Sequence, residues 1–250
     1  SDVDILYWAG CAAALEDRNV KVAVAVAKLL KAAGVNFGIL GTEESCCGEP
    51  VRRIGNEYLF QILAQRNIET LKNYKVKKIV TTCPHCFNTI KHEYPKMDPE
   101  ITKEEFQYEV LHHTQFIAQL LRQGRLKPNT SIDRSITYHD PCYLGRYNDI
   151  YREPRKVLAS IPGLKKIEMK RSKEKSLCCG GGGGHLWIEE ERGKRVNELR
   201  ILDIAKTKAG TGITACPYCL HMLENAVEEK GLKEELKLLD VAELLEEAIK

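Results

Sequence analysis

The sequence predicts an α/β protein made of two duplicated Rossmann-like lobes with parallel sheets, related by a pseudo-twofold axis. Three observations lead there. Short apolar runs alternate with longer segments of helical spacing, the pattern of strands joined by helical crossovers. One cysteine pattern occurs twice: Cys11, Cys46-Cys47-Gly48 and Cys83-Pro84-His85-Cys86, then Cys142, Cys178-Cys179-Gly180 and Cys216-Pro217-Tyr218-Cys219. Matching cysteines are offset by 131, 132, 132, 133 and 133 residues, a constancy that a duplicated segment explains and chance does not.

The elements follow in order. Residues 4–9 read as a short buried strand ending at Cys11. Residues 18–33 read as a helix stopped by Gly34, which tolerates the left-handed conformation after a helix. Residues 36–40 form a second strand leading to Cys46 and Cys47, and residues 53–73 are helical through Ile54, Tyr58, Ile62, Ile68 and Leu71. A third strand, 78–82, ends at Cys83, and residues 84–93 open the next helix. A fourth strand at 108–111 precedes a helix through Leu121, with His112 and His113 flanking the strand end and needing no function.

The second half repeats this series. A strand at 136–139 ends near Cys142, and Pro154 suits the first turn of a helix running to about Ser160. A strand at 166–169 leads to Cys178 and Cys179. Residues 185–208 are helical, with Val196, Leu199 and Leu202 on one face. Residues 213–215 form the strand before Cys216; residues 236–239 and a helix from Val241 complete the repeat. The expected division is an N-terminal lobe, 1–122, a polar Gly- and Pro-containing linker, 123–134, and a C-terminal lobe, 135–250. Residues 95–107 read as an insertion of the first half only.

Bulk properties narrow the function. A chain of 250 residues, 43% hydrophobic and 29% charged, builds a core without cysteine staples. Its net charge of +3 gives no basis for a nucleic-acid partner. It contains no 18-residue apolar run and no charged-then-apolar leader, so residence is expected to be cytoplasmic, where structural disulfides are rare. Because the first residue is Ser1 and not Met, a processed or shortened chain is also compatible with the sequence.

Each first cysteine of a group falls at or just after the carboxyl end of a predicted strand, where open α/β sheets place their ligand sites. The helix N-termini that follow favour thiolates. Each half therefore offers five thiols at one sheet edge, where zinc or a cubane cluster needs four. Neighbouring side chains diverge in a regular element, so Cys46-Cys47 and Cys178-Cys179 need an irregular loop to face one centre; Gly48 and Gly180 supply that backbone. Two other readings stay open on spacing alone. The Cys-x-x-Cys pairs match thiol–disulfide dithiols, and four thiolates satisfy structural zinc.

In tandem, Cys…Cys-Cys-Gly…Cys-x-x-Cys resembles the cysteine-rich CCG domain of the catalytic subunit of heterodisulfide reductase and related iron–sulfur subunits. The stretches 7–11, 139–146 and 178–184 (Tyr-Trp-Ala-Gly-Cys, His-Asp-Pro-Cys-Tyr-Leu-Gly-Arg and Cys-Cys-Gly-Gly-Gly-Gly-Gly) are most similar to the C-terminal part of iron–sulfur oxidoreductases linking electron-transferring flavoprotein to menaquinone. The resemblance covers essentially the whole chain. It implies a non-cubane [4Fe-4S] cluster on each complete motif, held by Cys11, Cys46, Cys47, Cys83 and Cys86 and by Cys142, Cys178, Cys179, Cys216 and Cys219, with one site able to be empty or to hold zinc.

The implied function is an oxidoreductase subunit that takes electrons from a partner and reduces a disulfide or passes them to a redox carrier. The alternatives are a pure electron relay or a thiol–disulfide or zinc-binding module. The expected partners are an electron-donor subunit or domain with ferredoxin-type clusters or flavin, a membrane quinone-linked subunit that would hold the chain peripherally at a membrane, and a disulfide or other small redox substrate. The upstream ferredoxin motifs and membrane helices of the quinone-linked relatives are not in this sequence.

Further candidates are weaker. His139 and His85 could move protons, and Arg146 could hold an anionic substrate group. His139 and Asp140 also suit a strand-end turn, His85 could face solvent, and Arg146 could form a structural ion pair. The glycine run 180–184 is not followed by Lys-Ser/Thr, so it reads as close backbone approach to a cluster or substrate, or as a flexible loop, and not as a phosphate loop. The basic segment 165–175 reads as a solvated loop, with docking of an acidic partner as a second reading.

Overall fold

A computed structural model describes residues 3–74, 76–97, 108–188 and 193–249. In the first half, β1 (Ile5–Trp8) is buried along its whole length, as expected of a central strand in a parallel sheet. It leads to a short helix α1 (Cys11–Leu15) and then α2 (Asp17–Ala32), which ends where Gly34 turns left-handed and donates to the Lys31 carbonyl at 2.9 Å. β2 (Phe37–Gly38), α3 (Glu49–Arg53), α4 (Glu57–Asn73), β3 (Lys78–Thr81), α5 (Pro84–Asn88), β4 (Glu109–His112) and α6 (His113–Arg122) follow. The second half contains β5 (Arg134–Tyr138), α7 (Arg152–Ala159), β6 (Leu164–Lys166), α8 (Val196–Ala205), β7 (Thr211–Thr214), α9 (Pro217–Glu229), β8 (Lys237–Asp240) and α10 (Val241–Ile249).

Both sheets are parallel and four-stranded, in the orders β2-β1-β3-β4 and β6-β5-β7-β8. The chain direction across each sheet reverses between its first and third strands, the switch point at which such sheets bind ligands. Cys11 and Cys83 follow those two strands in one lobe, and Cys142 and Cys216 follow them in the other.

The lobes exchange helix contacts reciprocally. α10 packs on α2, and α6 packs on α7, which pairs the last helix of each half with the first long crossover of the other. One apolar cluster runs through both sheets, from Ile5, Val26 and Ile79 to Ile136, Ile213 and Leu245. Polar clamps reinforce the seam. Arg18 donates to Glu224 at 2.6 Å and to both oxygens of Glu243 at 2.8 Å, and the buried His113 Nε2 meets Asp240 Oδ1 at 3.1 Å.

Three expectations need correction. The helix predicted over 53–73 begins only at Glu57, after α3 has ended at Arg53, and Ile54, Tyr58 and Ile62 are exposed. The inner face of α4 is instead Phe60, Ala64, Asn67, Ile68 and Leu71. Asn67 belongs inside because its amide donates to the Cys46 carbonyl at 2.9 Å and to Tyr94 Oη at 3.0 Å. The helix predicted over 185–208 is α8 alone among the described residues, and Val196, Leu199 and Leu202 face outward. Asn197, Arg200, Ile201 and Ile204 face inward. In both cases a buried polar side chain on the inner face misleads a search for apolar spacing. The sixth strand ends at Lys166, before Met169, which is buried beyond it. Of the insertion proposed at 95–107, residues 98–107 lie outside the described residues.

Candidate metal centres

All ten cysteines are unpaired as disulfides, and each half draws its five together. In the N-terminal lobe neighbouring thiols influence one another's ionisation in the order Cys11, Cys46, Cys47, Cys86 and Cys83. The C-terminal lobe repeats it as Cys142–Cys178–Cys179–Cys219–Cys216, with the first two sulfurs 3.8 Å apart. The expected convergence at one sheet edge is therefore present in both halves.

Local structure explains the aim of each thiol. Cys83 and Cys216 cap α5 and α9, whose first residues are Pro84 and Pro217, so proline's missing N–H falls where no helical partner exists. Cys86 and Cys219 then lie on the first turn. Gly48 adopts φ +86° and donates its N–H to Cys46 Sγ at 3.4 Å; Gly180 adopts φ +85° and donates to Cys178 Sγ at 3.3 Å. These turns let two adjacent cysteines face one centre. Hydrogen bonds from Cys11, Cys47 and the Gly48 N–H hold Cys46 well below the ordinary thiol range. Cys142, Cys179 and the Gly180 N–H do the same for Cys178.

His85 lies between the two sets. It is 4% exposed, and its Nδ1 stands 3.7 Å from Cys83 Sγ and 3.9 Å from Cys216 Sγ. Its ring is held between Tyr143 and Tyr218, at centroid distances of 4.3 and 4.4 Å. Solvent exposure, one of the two sequence readings of His85, is thus overturned. Burial pushes His85 down, but the Cys216 and Cys83 sulfurs outweigh it and raise its pKa. Burial likewise pushes Cys216 up, yet Cys219 and His85 bring it down to about 7.

The two sets match in burial, Cys11 and Cys46 being half-buried like Cys142 and Cys178, but the spaces beside them differ. Cys11, Cys47, Cys83 and Cys86 surround a closed cavity of only 10 Å³ with His85 and Tyr218. Cys142 and Cys178 instead border an open cleft of about 640 Å³ that also presents Arg53, Arg146, Arg195 and Tyr147. A larger groove of 930 Å³ between α2 and α9 contains no cysteine. Arg146 is exposed at the cleft, and its Nη1 donates to the Ser176 carbonyl at 2.6 Å. No acidic partner of Arg146 occurs among the described residues. Gly182 and Gly183 of the glycine run also line the cleft.

The buried strand end before Cys142 is anchored by charge. Arg155 grips Asp140 with two bonds, Nη1 to Oδ1 at 2.6 Å and Nη2 to Oδ2 at 2.9 Å. Asp140 also accepts the Lys173 N–H at 2.8 Å. His139 is 1% exposed, its Nδ1 accepting from Arg200 Nε at 2.8 Å. Burial, then the Arg200 charge, lowers its pKa well below the usual histidine range. Asp140 thus orders the turn, as one sequence reading had it. Sequence reasoning missed Arg53, Tyr143, Arg195 and Arg200; only Tyr143, adjacent to Cys142, carried a positional signal.

The donor set fits an iron–sulfur centre. Five soft thiols gathered in each lobe, with a backbone N–H directed at one of them, suit such a centre.

The sequence matches the family profile CCG, the cysteine-rich domain, twice, over residues 5–91 and 136–224. It is 43% identical, over 99% of its length, to the probable iron-sulfur-binding oxidoreductase FadF of Bacillus subtilis (strain 168), covering 34% of that protein. It is 42% identical to the EtfAB:quinone oxidoreductase of Syntrophomonas wolfei subsp. wolfei, covering 99% of this chain and 35% of that one. It is 36% identical to one of the subunits of the dihydromethanophenazine:CoB–CoM heterodisulfide reductase of Methanosarcina barkeri, covering 98% of this chain and 59% of that one. The chain therefore spans between about a third and three-fifths of the length of these relatives.

Proposed function

Because the chain belongs to the CCG cysteine-rich domain family, we propose that it is the cluster-bearing redox module of an iron–sulfur oxidoreductase. Its ten cysteines are the ligands of two [4Fe-4S] clusters of the non-cubane type, five to each lobe. The observation that carries this reading is the repeated five-thiol series at the carboxyl edge of each sheet. When bound, the clusters supply one-electron storage and a thiophilic iron surface. Cys46 and Cys178, already favoured as thiolates, are poised as ligands. Gly48 and Gly180 direct N–H groups at the bound sulfur.

Electrons come from a partner subunit or domain carrying flavin or ferredoxin-type clusters, in keeping with the names of the relatives. The N-terminal set, which borders no large cleft among the cavities described, acts as the relay. His85, fixed between Tyr143 and Tyr218, fills the path from Cys83 to Cys216, so no substrate fits between those two sulfurs. The open C-terminal set faces the acceptor. Arg53, Arg146 and Arg195 suit an anionic disulfide, whose reduction takes two electrons from the donor and two protons and breaks one S–S bond. A pure relay to a redox carrier docked on the same cleft is the second reading, and the filled space between the thiol sets favours it. Among the described residues no helix is long and apolar enough to cross a membrane.

Anaerobic purification with iron and sulfide analysis tests the assignment. About eight irons per chain are expected from two four-iron clusters. Cys47→Ser and Cys179→Ser should each lose the iron of one lobe while the fold persists. Full iron retention in both variants, or a colourless zinc protein, would refute the reading. Spectral change on adding a disulfide separates reduction from relay.

A further inference from the structure

The His139 side chain is buried at the end of β5, and one of its ring nitrogens is unpartnered. Nδ1 receives the Nε–H of Arg200 at 2.8 Å. A guanidinium has donors and no acceptor, so Nδ1 carries the lone pair and the proton of the neutral ring is on Nε2. Nε2 has no hydrogen-bond partner among the described residues. A ring nitrogen of His139 and the sulfurs of Cys179 and Cys219 all lie within 4.8 Å of one another. With Nδ1 turned to Arg200, the nitrogen left to face the sulfurs is Nε2. These three residues look like a metal triad, but ligation through Nε2 needs a lone pair there, and Arg200 keeps it protonated.

The tautomer is firmly set because Arg200 cannot swing away. It is fully buried, and it also donates to the Arg171 carbonyl at 2.9 Å and to Ser176 Oγ at 3.1 Å, with Asp203 at 3.6 Å.

The N-terminal lobe has a counterpart of different chemistry. Trp8 stands three residues before Cys11, as His139 stands three before Cys142. Trp8 is paired with Thr81 of β3, and the His139 N–H reaches the Ile213 carbonyl of β7, so both occupy the same place in their sheets. Trp8 is fully buried, and its Nε1, which can only donate, is also unpartnered. A buried N–H left unsatisfied is costly, so its persistence asks for an acceptor. Histidine and tryptophan share little besides a ring N–H, yet each lobe keeps one unpaired at this position.

We propose that His139 Nε2–H and Trp8 Nε1–H are hydrogen-bond donors to the sulfur atoms of the cluster in their own lobe, and that they raise its reduction potential. The inference rests on the cluster assignment above. A donor to sulfur favours the reduced, more negative state of a cluster. Both side chains are thus positioning residues and not ligands.

The experiment is an EPR-monitored redox titration of the anaerobically loaded chain, preceded by iron analysis. If the wild-type chain takes up no iron, the cluster assignment itself fails. With iron present, His139→Leu should lower the potential of the C-terminal cluster, with the reduction equilibrium shifting about tenfold, or about 59 mV for one electron. His139→Gln, which keeps an N–H, should recover most of the shift. Trp8→Phe, which keeps the aromatic bulk, should lower the N-terminal cluster and leave the other unchanged, so it decides the matter even if His139→Leu folds poorly. Unchanged potentials at full iron content in Trp8→Phe, or a Gln variant as shifted as Leu, would overturn the inference.

Discussion

Gly48→Ala is the substitution whose cost is most directly worked from the geometry. Gly48 sits at φ +86° and ψ −5°, a left-handed conformation. An L-residue there costs roughly 1–2 kcal/mol through contact of its Cβ with the carbonyl oxygen. The new Cβ would also lie 2.7 Å from Phe60 Cδ2 and 3.4 Å from Cε2. Phe60 is fully buried under the Arg52 guanidinium, 4.3 Å above its ring, so it has little freedom to retreat. Overpacking of that kind adds about 1–3 kcal/mol, giving about 2–5 kcal/mol in all. Gly180→Ala shares the backbone strain, but its Cβ meets Val196 Cβ at 3.1 Å, a contact that a small shift relieves, so it should cost less. The assay is urea unfolding of the reduced, iron-free chain, with Phe60→Leu and the double variant completing a cycle. The steric share, about 1–3 kcal/mol, should reappear as favourable coupling between Gly48→Ala and Phe60→Leu. A cost below about 1 kcal/mol, or no coupling, would refute the reasoning.

Three other outcomes follow from the same geometry. Arg155→Met leaves Asp140 buried without its bidentate partner and should destabilise the chain by about 3–5 kcal/mol in the same assay; a loss under about 1 kcal/mol would contradict the clamp. Burial pushes Glu168 up, but bonds from Arg155 and Lys166 prevail and hold it below its ordinary value of 4.5. A carboxylate lowered in the folded state contributes stability that is present above 4.5 and lost as pH falls through its folded value; Glu168→Gln should flatten that acid limb, and an unchanged limb would count against the pairing. His85→Leu removes two sulfur contacts without removing a ligand. Iron per chain should stay constant while the iron-free chain loses about 1–3 kcal/mol, and iron loss comparable to a cysteine variant would instead make His85 a ligand.

Much of this was legible in the sequence because the signals were one-dimensional. The buried parallel strand β1 appears as an apolar run, and glycine and proline mark the ends that carry the cysteines. The repeated spacing located the five-thiol sets before any geometry was known. Hidden features depended on groups meeting from distant segments. His85 has one sulfur contact 2 residues away and another 131 residues away, and no local pattern reveals the second. Arg200 reads as a surface charge on a helix, yet it is buried because His139, Ser176 and the Arg171 carbonyl satisfy it. For the same reason Tyr58 and Ile62 of α4 and the whole stripe assigned to α8 fell on outer faces, while Ile68 and Leu71 did face inward. Asn67, Asn197 and Arg200 share the inner faces with apolar neighbours and break the spacing there.

The contact between His85 and Tyr218 has a consequence for symmetry. These are the third residues of the two Cys-x-x-Cys segments, equivalent positions in the two halves, and their rings meet at 4.4 Å. Two equivalent positions can touch only where the pseudo-twofold axis passes. A symmetric pair of identical subunits would put one residue type against its own copy there, and passage either way would be the same. With histidine on one side and tyrosine on the other, the imidazole reaches the sulfurs of both lobes, and the two halves lose their equivalence at the one place they share. Divergence at that position makes the junction of the two lobes asymmetric, so the two thiol sets, alike in their ligands, meet different neighbours where they come closest.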